Sequence, residues 1–94
     1  MPVYVMLSSL TDEGAKTIKK HPVRISEVNS ELEAMGIKVL SQYATLGQFD
    51  FITVVEASDN VTIAKASLEM GSRGTIRIQT LAAVGIDELI ANLG

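Results

Sequence analysis

The order of apolar segments along the chain constrains its fold more than any other feature. Four short runs rich in Val, Ile, Leu, Tyr and Phe have the composition of β-strands, at residues 3–7, 37–46, 49–55 and 75–81. Helical patterns follow the first and third runs, and a short turn joins the second to the third. The order βαββαβ, with a short C-terminal helix predicted at 87–93, indicates an α+β, ferredoxin-like sandwich.

The first helical stretch contains a predicted break. Thr11 is suited to cap the start of a helix. Pro22 lacks an N–H and disfavours the helical conformation at His21. We therefore predict a short helix, a break at His21 and Pro22, and a second helix over about 22–35. Gly36 can adopt the left-handed conformation that ends it.

The second helical stretch begins after a run of capping residues at 58–60. Its apolar residues allow more than one buried stripe. We predict the stripe Val61, Ala64, Leu68 and Gly71, with Ile63, Ala66 and Met70 flanking it.

Length and composition indicate a single small domain over residues 1–94, with 47% hydrophobic residues available for a core. There is no cysteine, which excludes disulfides, thiolate metal sites and cysteine nucleophiles. A net charge of −3 argues against a nucleic-acid partner. No secretory leader or membrane-spanning run is visible, so we expect a cytoplasmic protein with no membrane partner.

The predicted strands lack a clean alternation of apolar and polar residues. In the first strand, Val3, Val5 and Leu7 lie on one side, and Tyr4 and Met6 lie on the other. Two helices cover only one face of a sheet, and the sequence leaves open which face that is. The other face is too apolar to stay bare in a monomer. We therefore predict a homodimer with its sheets packed face to face.

Several stretches in this order resemble the GYD-domain family, a group of small, mostly uncharacterised prokaryotic proteins. The resemblance implies the dimeric α/β-barrel version of the ferredoxin-like fold and no settled activity. The name-giving Gly-Tyr-Asp motif departs from the family pattern, because Phe49 stands at the tyrosine position. The matching stretches are residues 3–7, Thr11 with Gly14, Pro22 with Arg24, residues 45–50 and residues 71–81.

Two residues are candidates for proton transfer. Asp50 opens a strand between two phenylalanines, where burial would raise its pKa and let it act as a base or bind a cation. The alternative is that Asp50 caps the turn near Gly47. His21 is the only histidine, the residue type whose unperturbed pKa lies nearest neutral pH, but a solvated position at the helix break is the simpler interpretation.

Three further residues are candidates for ligand binding. Arg24 and Arg77 carry guanidinium groups that match a carboxylate or phosphate. For Arg77 the alternative is an intersubunit salt bridge to Asp50 or Glu56. Tyr43 could place its hydroxyl in a cleft, or pack at a sheet edge or in the interface.

Two functional hypotheses from different classes follow. The first is a non-catalytic, homo-oligomeric module that binds a small apolar or anionic molecule between sheet and helices. The second is a small cofactor-free oxygenase or isomerase with Asp50 or His21 as proton acceptor and an arginine steadying an oxyanion. No metal-ligand spacing or cofactor motif occurs, so neither hypothesis includes a metal or cofactor.

Overall fold

Four strands and four helices make up the computed structural model, which describes residues 1–94. None of the helices is long and apolar enough to cross a membrane. The elements in chain order are β1 (Val3–Leu10), α1 (Asp12–Lys20), α2 (Arg24–Ala34), β2 (Lys38–Ala44), β3 (Phe51–Glu56), α3 (Asn60–Gly71), β4 (Ile76–Ala83) and α4 (Ile86–Leu93).

The four strands form one sheet in the order β2-β3-β1-β4, with every neighbouring pair antiparallel. Val5 on the central strand β1 lies opposite Val54 on β3 and Leu81 on β4. The ferredoxin-like α+β fold predicted from the sequence is therefore confirmed, including the short C-terminal helix.

The helices α1, α2 and α3 cover the sheet face that carries Tyr4 and Met6. Both side chains are buried, together with Val55 on β3, Leu32 on α2 and Ile63 on α3. This answers the question that the sequence left open, because Val3, Val5 and Leu7 point to the uncovered side and are only half-buried. We call that side the open sheet face. Its members, by strand register, are Val3, Val5, Leu7, Ser9, Lys38, Ser41, Tyr43, Ile52, Val54, Glu56, Arg77, Gln79, Leu81 and Ala83.

The break in the first helical stretch is confirmed. The helix α1 ends before His21, and α2 begins at Arg24, two residues later than predicted. Thr11 caps α1 as expected, since its hydroxyl accepts a hydrogen bond of 3.1 Å from the Gly14 amide. Gly36 follows α2 with a φ of 84°, the left-handed conformation in which glycine carries no steric cost.

The buried stripe predicted for α3 is wrong. Val61 and Leu68 are exposed, whereas Ile63, Ala66 and Met70 are buried. Both sets have helical spacing because this helix carries apolar residues on most of its surface, so the period alone cannot choose between them. Its predicted N-terminus is right, because the Asp59 carboxylate accepts a hydrogen bond of 2.9 Å from the Thr62 amide.

The connection between β2 and β3 is longer than the short turn that we predicted between the runs 37–46 and 49–55. The strands end at Ala44 and resume at Phe51, and the loop between them is closed by a 2.7 Å hydrogen bond from the Thr45 amide to the Asp50 carbonyl. Gly47 has a φ of 113° at the tip of this loop. The loop is relevant to the site because it carries Asp50 to the end of β1.

Candidate functional site

A cavity of about 230 Å³ lies between the sheet and the helices α1, α2 and α3. Met6 and Ser8 on β1 and Phe51 and Thr53 on β3 form part of its sheet side. Apolar side chains of α1 and α2 line the cavity and do not seal it against the sheet. Ile18, Ile25 and Val28 line the cavity and are only half-buried.

One wall of the cavity carries a chain of neutral polar side chains. The Asn29 amide donates to the Gln42 carbonyl oxygen at 2.7 Å, and the Gln42 amide donates to the Thr53 hydroxyl at 3.0 Å. A second hydrogen bond of 3.3 Å returns from Gln42 to Asn29. Because these groups satisfy one another, the wall offers a ligand neutral hydrogen-bonding atoms and no free charge.

Two arginines that line the cavity are held by one carboxylate. Arg24 lies 3.1 Å from Glu31, and Arg73 donates a short hydrogen bond to the other oxygen of the same carboxylate. Arg73 also reaches Glu69 at 3.4 Å, and Arg24 reaches Glu27 at 3.6 Å. The hydrogen bond from Arg73, helped by the charges of both arginines, lowers the pKa of Glu31 below its usual value. The same contact raises the pKa of Arg73.

Replacing Glu31 by Gln is expected to lower the free energy of unfolding by about 1 kcal/mol at pH 7, a modest value because solvent screens a carboxylate that is 37% exposed. Since folding lowers the pKa of Glu31, its contribution is complete above the unfolded-state pKa near 4.5 and is lost as the pH falls through the folded-state pKa. Urea titrations at pH 7 and pH 3 test this.

The matched control is Glu33→Gln, which removes an exposed carboxylate of α2 that makes no ion pair. The control should change stability little at either pH. A Glu31→Gln effect that is as large at pH 3 as at pH 7 would contradict the ion-pair account, because the protonated carboxyl group differs little from the amide.

Asp50 does not face the cavity. Its carboxylate accepts a hydrogen bond of 2.7 Å from the Leu10 amide, and its own amide donates to the Ser8 carbonyl at 2.8 Å. These bonds tie the β2–β3 loop to the end of β1. As in the alternative interpretation, the Asp50 carboxylate accepts a hydrogen bond from a backbone N–H. The donor is the Leu10 amide, however, and not an amide of the turn near Gly47.

The other candidate residues are spread over three parts of the molecule. His21 is exposed at the end of α1, and the length of that helix, roughly 13 Å, separates it from the Asp50 end. Arg77 and Tyr43 are exposed on the open sheet face, opposite Ser9 and Ile52. Of the five candidates, only Arg24 lines the cavity.

The sequence analysis missed Arg73, Asn29 and Gln42. Arg73 lies in a Gly-Ser-Arg-Gly segment after α3, and its partner Glu31 is 42 positions away, so no local pattern connects them. Asn29 lies on the cavity side of α2, one position after the apolar Val28. The only sequence signal for Asn29 was that it is a polar residue on an otherwise apolar side of the helix. No group of three or more His, Asp or Glu side chains converges on a point where a metal ion could bind.

Solved structures share this fold at low sequence identity. FFRP-DM1 superposes with a TM-score of 0.60 and 21% identity, covering 89% of this chain and 100% of that one. TTHA0845 from Thermus thermophilus gives a TM-score of 0.57 at 16% identity, covering 90% and 95%.

A much nearer relative also comes from Thermus thermophilus. It bears the name glutamine synthetase and cystathionine beta-lyase binding protein and is 51% identical over 94 residues, covering 99% of both chains. The GYD domain model matches residues 4–93, which is nearly the whole chain. With this coverage, and with the fold confirmed, the chain belongs to the GYD-domain family.

Proposed function

We propose that this chain is a non-catalytic, homodimeric protein-binding module whose partners are glutamine synthetase and cystathionine beta-lyase. The observation that carries the proposal is 51% identity, over 99% of both chains, to a relative named for binding those two enzymes. Because the matched region spans nearly the whole chain, the identical residues include surface positions as well as core positions. Partner proteins bind to the surface.

The proposed dimer uses the open sheet face. Seven aliphatic side chains occupy it, and the largest exposed apolar patches of monomeric proteins are often functional. Arg77 lies at one end of this face, opposite Ser9, and Glu56 lies at the other end, opposite Val3. Neither forms an ion pair within the chain. Two-fold pairing with antiparallel strands would bring the Arg77 end of one copy to the end of the other copy that holds Glu56 and its cross-strand neighbour Lys38. The aliphatic members are Val3, Val5, Leu7, Ile52, Val54, Leu81 and Ala83.

A catalytic role has less support in the geometry. It would need Asp50 or His21 to act beside an arginine in one cavity. Instead, the Asp50 carboxylate accepts a hydrogen bond from the Leu10 amide, and His21 lies at the opposite end of α1. Binding therefore accounts for the arrangement better than proton transfer.

Sedimentation velocity of a labelled chain with each purified enzyme from the same organism tests the protein-binding function. We expect the label to sediment with glutamine synthetase and with cystathionine beta-lyase at micromolar concentration, and not with an unrelated enzyme of similar size. Free sedimentation of the label in both mixtures, at concentrations where the chain is folded, would contradict the proposal.

The cavity supports a second candidate function, the binding of a small neutral apolar molecule. An engineered cavity of about 150 Å³ accommodates benzene, so a cavity of about 230 Å³ would suit a ligand of roughly nine non-hydrogen atoms. Arg24 and Arg73 share Glu31, which leaves little positive charge for an anion. The Asn29, Gln42 and Thr53 wall would take one neutral hydrogen-bonding group of the ligand.

Indole is a suitable probe, because it has one ring system and one N–H donor. We expect saturable NMR shifts at the cavity residues with a dissociation constant on the order of 1 mM or below, and weaker binding of benzoate. Val28→Phe fills the cavity and should abolish the shifts, whereas Val61→Phe on the exposed side of α3 should not. Equal indole binding by both variants would contradict the cavity site.

A further inference from the structure

The sheet side of the cavity holds a buried hydroxyl group that has no partner in the chain. Ser8 on β1 lines the cavity and is only 8% exposed, and its hydroxyl makes no hydrogen bond to another protein group. The next residue differs, because the Ser9 hydroxyl donates to the Gln48 carbonyl at 3.0 Å. Every side-chain polar atom that is fully sealed inside the protein has a partner. The Ser8 hydroxyl is therefore not sealed, and it reaches the space of the cavity.

A buried hydroxyl without a partner calls for an explanation, because the large majority of buried side-chain polar atoms in proteins are hydrogen-bonded. Tyr4 and Met6 precede Ser8 on the same side of β1, and both belong to the apolar core. Alanine in place of Ser8 would continue that apolar surface without the cost of removing a hydroxyl from water. The hydroxyl at this point therefore indicates a group outside the chain to which it bonds.

A second hydroxyl on the same side of the sheet also has a free proton. Thr53 on β3 is 5% exposed, and its oxygen accepts a hydrogen bond from the Gln42 side chain at 3.0 Å. The Thr53 O–H proton has no acceptor in the chain. Thr53 lies two residues beyond Phe51, which is the residue opposite Ser8. Ser8 and Thr53 are thus diagonal neighbours, at roughly 7–8 Å, so one ligand group between them can contact both.

The polar wall beside these hydroxyls has more free donors than free acceptors. The two N–H groups of the Gln42 side chain donate to Asn29 and Thr53, and its carbonyl oxygen accepts from Asn29. One N–H of the Asn29 side chain is left, since the other donates to Gln42. The free groups are therefore the O–H of Ser8, the O–H of Thr53 and one N–H of Asn29. A ligand matches them by supplying a hydrogen-bond acceptor.

We propose that the cavity binds a small neutral molecule that carries a carbonyl group, and that Ser8 donates a hydrogen bond to the carbonyl oxygen. This inference rests on the cavity function proposed above and names the class of its ligand. A carbonyl oxygen has two lone pairs, so it can accept from Ser8 and Thr53 together. A carboxylate fits less well, because the two arginines of the cavity already share the carboxylate of Glu31.

Two ligands and two variants test the proposal by NMR titration of the full chain. Acetophenone is a neutral aromatic ketone with as many non-hydrogen atoms as indole, which has a donor N–H and no carbonyl. We expect Ser8→Ala to raise the dissociation constant of acetophenone about tenfold, as for the loss of one buried hydrogen bond, and that of indole no more than about twofold. Ser9→Ala is the matched control, because it removes the same group from the opposite face of β1, and it should change neither constant.

Infrared spectroscopy reports the hydrogen bond itself. The C=O stretching frequency of a ketone falls when its oxygen accepts a hydrogen bond. We therefore expect bound acetophenone to have a lower C=O frequency in the parent protein than in Ser8→Ala. Because the Ser8 hydroxyl has no partner within the chain, the variant should fold like the parent, which its NMR spectrum verifies. Equal frequencies in the two proteins would overturn the role of Ser8.

The titrations separate this inference from the cavity function on which it rests. If Ser8→Ala weakens both ligands equally, or leaves acetophenone binding unchanged, the carbonyl site is overturned while the cavity still binds small molecules. If neither ligand shifts the resonances of the cavity residues in the parent protein, both the carbonyl site and the cavity function are overturned.

Discussion

Gly14→Ala is expected to lower the free energy of unfolding by about 3 kcal/mol or more, because helix α1 approaches the backbone just before β4 too closely for any side chain. A Cβ atom at Gly14 would lie 1.9 Å from the Thr75 carbonyl oxygen and 2.9 Å from its carbon. That carbonyl cannot retreat freely, since it accepts a 3.0 Å hydrogen bond from the Thr11 amide. Urea unfolding followed by circular dichroism measures the loss.

The control is Gly71→Ala, at the last residue of α3. A Cβ there meets nothing within 4 Å, and the backbone is not in the left-handed region. Alanine should therefore stabilise the helix by roughly 0.5–1 kcal/mol. A Gly14→Ala variant that unfolds within about 1 kcal/mol of the parent would show that α1 can move away from the backbone just before β4, contrary to this packing.

Val5→Asp is expected to raise the dimer dissociation constant about 1000-fold, equivalent to roughly 4 kcal/mol. Val5 lies on the central strand of the open sheet face, between Val54 and Leu81. In the proposed dimer a carboxylate at this point would be buried without a partner. In the single chain Val5 is half-buried, so the variant should still fold as a monomer. Sedimentation velocity over a range of concentrations gives the dissociation constant.

Val61→Asp is the matched control, because it introduces the same charge at an exposed position in the first turn of α3. A carboxylate at a helix N-terminus is favourable, so this variant should fold and dimerise like the parent. An unchanged dissociation constant for a folded Val5→Asp variant would show that copies meet through another surface.

Local chemistry explains which parts of the fold could be predicted from sequence. Pro22 and Gly36 act through their own backbone restrictions, so the break between the first two helices and the end of α2 followed from single residues. The buried stripe of α3 could not be predicted in this way, because Ile63 and Val61 are equally apolar and only tertiary packing selects between them. The face of the sheet that meets the helices was undecided for the same reason.

The candidate site was less predictable than the fold because its contacts join distant segments. Arg24 was identified from its chemistry, but the features that fix its role are Glu31 and, from the far end of α3, Arg73. Asp50 was a candidate because its carboxylate lies between two aromatic residues in the sequence. Only the structure shows that this carboxylate accepts a hydrogen bond from the Leu10 amide. Residue types and their spacing indicate contacts between residues that are close in sequence. The contacts of this site instead join residues that are far apart in sequence and that the fold brings together.

Native mass spectrometry of the freshly purified 94-residue chain tests the central claim most directly. The claim is that this GYD-domain protein is a homodimer that presents its surface to other proteins. We expect a dimer as the main species at micromolar concentration, and a complex of that dimer with glutamine synthetase or cystathionine beta-lyase when either enzyme is added. A monomer that stays monomeric, alone and in both mixtures, would contradict the account.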